Sequence, residues 1–195
     1  MDCRVPAFRR PTTVLVAVFA ACALPLASAA AEPSDTSAKR QVFVQAGTAD
    51  EARAHVVGVT WALKPLTRFA GGDIQLYWEA SFGRWTAEQD ANASGSAWIT
   101  QLGITPVFRW QPDAGSSRWF VEAAIGAHVI LPVYRSREKR FSTTFNFGDH
   151  LAIGRQFGDD RRHELALRIQ HFSNAGIRRP NPGENFIQLR YAARF

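Results

Sequence analysis

The chain has 195 residues, a formal charge of +6, and 46% hydrophobic residues. A mild basic excess suits anionic lipid or polysaccharide better than nucleic acid. Both cysteines, Cys3 and Cys22, fall within the first 31 residues, so the rest of the chain holds no disulfide, thiol nucleophile or thiolate metal site.

Those first residues read as a secretory signal peptide. Arg4, Arg9 and Arg10 form a basic start, Thr13 to Leu26 is mostly apolar, and Ala27-Ser28-Ala29 and Ala29-Ala30-Ala31 are small-x-small cleavage sites. Three Arg and one Asp leave with residues 1–31, so the remainder carries +4. Residues 32–40 form a short polar lead, and residues 41–195 form one domain. No stretch is apolar enough for a transmembrane helix, which needs ~20 such residues. A membrane position therefore requires a β-barrel.

From Gln41 onward the pattern is a two-residue alternation. A weakly marked first strand lies near Gln41–Ala46. Val57, Val59, Trp61 and Leu63 share one face, followed by Ile74, Leu76, Trp78, Ala80 and Phe82. Trp98, Leu102, Ile104, Phe108 and Trp110 mark the fourth strand. The fifth runs from Trp119 to Leu131 and the sixth from Phe145 to Phe157. Leu165, Leu167 and Ile169 mark the seventh, and Ile187, Leu189, Tyr191, Ala193 and Phe195 the last. Segments of about 9–13 residues exceed the ~5–6 usual in globular proteins. Long alternating strands between turn residues are the signature of an outer-membrane barrel, for which eight strands is the smallest size. The predicted fold is all-β, an eight-stranded antiparallel transmembrane barrel.

The second face supports this. It carries Glu79, Glu122, Glu164, Arg168, Arg190 and Arg194 among small residues. Paired charges suit a narrow lumen, whereas a dry soluble core excludes them. Trp61, Trp98, Trp110 and Trp119 fit interfacial girdles. A terminal aromatic, Phe195, resembles the assembly signal of bacterial outer-membrane barrels. With the N-terminus on the periplasmic side, the connections 132–142 and 175–183 face outward. They bring Arg135, Arg137, Lys139 and Arg140, then Arg178 and Arg179, to the outer surface, where phosphate groups are the expected contacts.

Two polar residues break the apolar face. His171 and Ser173 share it with Leu165, Leu167 and Ile169, near the outer end of the seventh strand. Imidazole can take the proton of a hydroxyl that attacks an ester, with a third group fixing its tautomer. A polar pair on a lipid wall costs free energy unless it has a use. Asp149 and Asn185 lie on the parity that faces His171, while Glu184 lies on the opposite parity unless a bulge turns it. Asn174 and Gly176 are placed to supply oxyanion donors. His128 and His150 face the lumen, and no histidines have metal-ligand context, so neither a metal nor another cofactor is expected.

The run His171-Phe172-Ser173-Asn174-Ala175-Gly176-Ile177, followed by Pro180-Asn181-Pro182-Gly183-Glu184-Asn185, resembles the lipid A 3-O-deacylase (PagL) family. The resemblance implies an eight-stranded outer-membrane barrel that hydrolyses the 3-linked acyl ester of lipid A with a His-Ser-Glu triad on its outer wall. His171 and Ser173 match the base and the nucleophile. Aligned without gaps, the family's Glu falls on Asn185, with Glu184 one residue early. Glu184 is taken as the third member because a carboxylate stabilises imidazolium better than an amide; Asn185 and Asp149 are the alternatives.

The reading is a serine esterase that releases a 3-hydroxy fatty acid from lipid A in the bacterial outer membrane. Its partners are lipopolysaccharide and membrane lipid, with a homodimer allowed and nucleic acid excluded. The rival readings are a non-catalytic barrel for adhesion or membrane integrity, a lipid A acyltransferase, and a soluble lipocalin-like binder.

Overall fold

The structure is a computed structural model that describes residues 40–89 and 97–195. The expected signal peptide, 1–31, and the lead up to residue 39 lie outside the described residues. The eight strands are β1 (Arg40–Thr48), β2 (Ala52–Phe69), β3 (Gly72–Ala87), β4 (Ala97–Gln111), β5 (Trp119–Leu131), β6 (Phe145–Phe157), β7 (His163–Ser173) and β8 (Glu184–Arg194). Each pairs antiparallel with the next, and β1 pairs with β8 to close the barrel. Closure leaves no unpaired edge, which residues 40–195, lacking cysteine, need if the hydrogen-bonded ladder is their frame.

The alternation seen in the sequence becomes the barrel wall. On β7, Leu165, Leu167 and Ile169 point outward and are 45–58% exposed, whereas Ala166, Arg168 and Gln170 point inward and are buried. Apolar side chains on the outside and polar ones within invert a soluble protein and match a wall in hydrocarbon. The observed β2 is longer than the expected run. Its second half is disguised by Pro65, beside which register shifts between Ala62 and Thr67 break the two-residue pattern.

The lumen is filled in two layers. Toward the end that carries the loops 132–144 and 174–183, Trp85, Ile99, Ile130, Tyr134, Phe141, Phe172 and Phe186 form a buried apolar plug. Trp85 packs edge-on against Phe172, with ring centroids 4.8 Å apart. Deeper in, three guanidinium groups face three carboxylates. Arg109 pairs with Glu122 at 2.6 Å and Glu164 at 2.7 Å, Arg168 with Glu79 at 3.0 Å, and Arg190 lies 3.5 Å from Glu79. Such charges cannot ionise in a sealed interior without partners, and here charge is matched to charge. The apolar plug packs the loop-end half of the lumen, while the other half holds a polar cavity of about 320 Å³ lined by Tyr77, Arg109 and Glu164.

Candidate active site on the barrel wall

His171 and Ser173 occupy the last outward positions of β7, at the loop end, and both are partly exposed. Residues two apart on one strand face stand ~6.8 Å apart along the chain. No hydrogen bond joins Ser173 to His171 among the described residues. The side chain in contact with His171 comes from the next strand. His171 is the ladder partner of Asn185, and Asn185 Oδ1 lies 2.7 Å from His171 Nδ1. With the amide oxygen accepting, Nδ1 carries the hydrogen and Nε2 keeps its lone pair.

The expectation that Glu184 orients His171 is corrected. No bulge interrupts the β7–β8 ladder, so Glu184 pairs with Phe172 and points into the lumen, where it is fully buried. Its carboxylate accepts from Tyr134 Oη at 2.6 Å and from Lys139 Nζ at 2.8 Å. Burial, reinforced by the adjacent Glu184 carboxylate, pushes the Tyr134 phenol up. Partial burial opposes the charged form of Lys139, but the hydrogen bond and charge of Glu184 prevail and raise its pKa. Asp149 is the ladder partner of His171 on the other side, on β6, but makes no hydrogen bond to it among the described residues.

Gly183 closes the site from the loop side. Its φ is +71°, and a Cβ there would stand 2.5 Å from His171 Cε1 and 3.2 Å from Nε2. Only glycine fits both the backbone and the imidazole. The Pro-Gly turn signal was visible in the sequence; the histidine beneath it was not.

Asn174 and Gly176 have their donors occupied. The buried Asn174 donates through Nδ2 toward Ser142 Oγ, Thr143 Oγ1 and the Arg178 carbonyl, at 3.1, 3.2 and 2.8 Å. Its backbone N–H goes to Asn181 Oδ1, and the Gly176 N–H goes to Asn174 Oδ1. Asn174 therefore clasps loop 174–183 to loop 132–144 directly after Ser173.

The six basic loop residues divide. Arg137 is drawn to Glu51 at 3.2 Å and Glu88 at 3.8 Å, and Lys139 to Glu184 and Asp50. These two act as latches between loop 132–144 and the barrel mouth. Arg135, Arg140, Arg178 and Arg179 are exposed, form no ion pair among the described residues, and line one groove of about 210 Å³.

A closed barrel with an apolar exterior, and a Ser–His–Asn set within that exterior, defines a class: small transmembrane barrels whose polar site opens toward lipid. Comparison with known proteins narrows it. The family model for lipid A 3-O-deacylase (PagL) matches residues 51–194. A lipid A deacylase PagL of Bordetella bronchiseptica is 35% identical over 142 residues, which cover 73% of this chain and 69% of that protein. One from Pseudomonas aeruginosa is 26% identical over 164 residues, covering 84% and 87%. The crystal structure of the outer membrane enzyme PagL superposes with a TM-score of 0.65 at 26% identity, over 78% of this chain and 98% of that one. The chain belongs to the lipid A 3-O-deacylase (PagL) family, and is accordingly an ester hydrolase acting on lipid A.

Proposed function

We propose that the chain removes the 3-linked acyl group of lipid A by nucleophilic catalysis, with Ser173 as nucleophile, His171 as base and Asn185 as the residue that orients the imidazole. The observation that carries this is the His171–Asn185 contact at 2.7 Å on the lipid-facing wall. Ser173 Oγ attacks the ester carbonyl and its proton passes to His171 Nε2. The tetrahedral intermediate collapses, the bond between the acyl carbon and the sugar's 3-oxygen breaks, and His171 delivers the proton to that departing oxygen. Water, deprotonated by the same imidazole, then hydrolyses the acyl-serine and frees a 3-hydroxy fatty acid. An amide orients the ring as a carboxylate would but offers the imidazolium less charge stabilisation.

The location follows from the same wall. Residues 1–31 act as a cleaved signal peptide, and the barrel resides in the outer membrane, crossing it with each of its strands and turning the loop end outward. Substrate then reaches Ser173 by lateral diffusion in the outer leaflet. Arg135, Arg140, Arg178 and Arg179 meet its phosphates, while Arg137 and Lys139 hold the loop that presents them.

Replacing Ser173 with Ala and weighing lipid A by mass spectrometry tests the mechanism. Wild-type protein yields lipid A lighter by one 3-hydroxyacyl group, and Ser173→Ala leaves it intact. Deacylation that persists in the variant rules out Ser173 as the nucleophile.

A further inference from the structure

The outer wall carries a second polar interruption, away from Ser173. Arg53, His55 and Arg84 point outward near the loop ends of β2 and β3 and are exposed. His55 and Arg84 face each other directly across the ladder. Their other ladder neighbours on this face are Thr48, Ala46, Thr86 and Thr100, so no carboxylate stands opposite any of the three. The Arg84 guanidinium is held by a hydrogen bond to Thr100 Oγ1 and lies 5.5 Å from the Trp98 ring centroid. Cations on a hydrocarbon-facing wall are costly unless an anion meets them.

Directly below this rim the wall is hollowed. His55 and Arg84 edge an apolar groove of about 460 Å³, floored by Val44 and Ala46 and flanked by Phe82 and Leu189. Its size lies within the range of ligand sites, ~300–1,000 Å³. The small Ala46 between bulkier neighbours creates the depression. Leu189 is four residues along β8 from Asn185, ~13 Å by strand rise, and the rim lies two further strands round the barrel. On β7 the groove is lined by Leu165, eight residues from Ser173 and ~27 Å by strand rise.

We infer that this flank is a second lipid A site, one that binds without cleaving: a lipid phosphate sits on Arg53, His55 and Arg84, and an acyl chain of the same molecule fills the groove beneath. Cation rim and apolar trough stand in the order that a phosphorylated acyl lipid requires, headgroup at the loop end and chain toward the middle of the wall. The inference rests on the reading of lipid A as the lipid this enzyme meets.

The test counts lipid A bound per barrel by native mass spectrometry on full-length mature protein in detergent, with Ser173→Ala preventing turnover. Two lipid A molecules are expected per barrel, and one when His55→Ala and Arg84→Ala are added. Filling the trough with Ala46→Trp, which leaves the rim intact, also gives one. Heat-modifiable gel mobility reports that each barrel is folded, and in the Ser173 background the His55→Ala/Arg84→Ala protein retains wild-type deacylation within about twofold. An unchanged count in both variants overturns the site. Phosphate-free lipid A bound at two per barrel overturns the role of the rim, and displacement by phosphatidylglycerol at equal concentration overturns the assignment to lipid A. Absence of deacylation by the wild-type enzyme would instead defeat the underlying reading, a result separate from the count.

Discussion

Asn185 Oδ1 sits 2.7 Å from His171 Nδ1, bridging β8 and β7 on the lipid-facing side of the barrel. An amide in this position fixes the tautomer without adding charge. Asn185→Ala is expected to lower kcat about 10–100-fold with the barrel intact, the effect of freeing the ring and losing one hydrogen bond to a developing cation. Asn185→Glu is expected to raise kcat, because a carboxylate stabilises imidazolium in the transition state. It should also move the acidic limb of kcat/KM to higher pH, since imidazolium cannot act as base and the carboxylate favours it. Deacylation rates measured across pH check both outcomes, and an Asn185→Ala enzyme with wild-type rates removes Asn185 from the mechanism.

Gly183 tests whether the imidazole needs its close backbone neighbour. Alanine there combines a left-handed backbone, costing ~1–2 kcal/mol, with a Cβ driven against the His171 ring. Gly71, at the opposite end of the barrel, has a similar φ of +74° and open space around it. Gly183→Ala is therefore expected to lower kcat at least about tenfold, whereas Gly71→Ala carries the same strain and keeps full activity. Full activity in Gly183→Ala would show that the ring contact has no part in catalysis.

These contacts show where sequence reading succeeds and stops. Outward apolar positions repeat every two residues because a lipid wall demands it, so the eight strands, the lumen charges and the position of His171 and Ser173 are legible. The side chain that contacts His171 was legible only in part, since parity put Asn185 and Asp149 on its face and chemistry favoured Glu184. Glu184 and Asn185 are adjacent, and a one-residue change of register exchanges their faces. Chemical preference for a carboxylate pointed to Glu184; the unbroken ladder turns it inward to Tyr134 and Lys139. The latches were beyond reach for another reason. Glu51 meets Arg137 across 86 residues of sequence, a proximity that only barrel closure creates. Basic residues alike in sequence therefore differ in use, with Arg137 and Lys139 paired to carboxylates and Arg140 and Arg179 without an ion pair among the described residues.

Asn174 illustrates a different ambiguity, since an amide beside a nucleophile suits an oxyanion hole and a loop clasp alike. Its side-chain donors go to Ser142, Thr143 and the Arg178 carbonyl. Acting through the loops, Asn174→Ala should destabilise the folded barrel by roughly 1–3 kcal/mol, the cost of stranding buried polar groups. Ser142→Ala should then cost part of the same stability, with the double variant losing less than the sum of the two single effects. A double-mutant cycle on unfolding free energy measures this, with kcat read for each variant. An innocuous Ser142→Ala beside a large, independent effect of Asn174→Ala would assign Asn174 to the oxyanion instead.

Loop 132–144 is fastened through consecutive residues, 136–138 to the Glu51 carboxylate and Lys139 to Glu184 and Asp50. Glu51 accepts from Ser136 Oγ at 2.6 Å, the Glu138 backbone N–H at 2.9 Å and Arg137 Nε at 3.2 Å. The Ser136 hydrogen bond leads in lowering its pKa below the ordinary 4.5, helped by Glu138 and Arg137 against a smaller opposing effect of burial. A lowered carboxyl pKa stabilises the closed loop fully above 4.5, and that contribution fades as pH falls through the folded value. The raised pKa of Lys139 works the other way: its contribution is complete below the ordinary 10.5 and is lost only as pH rises through the folded value. The loop should thus stay closed at neutral pH and loosen at its Glu51 contacts on acidification. Hydrogen exchange of the Glu138 and Lys139 amides, corrected for intrinsic rates, should show protection above pH 4.5 that falls as pH is taken down through the lowered Glu51 pKa. Glu51→Gln should show weak protection throughout. Protection that holds steady from neutral to acid pH in the wild type would remove Glu51 as the acid-sensitive latch.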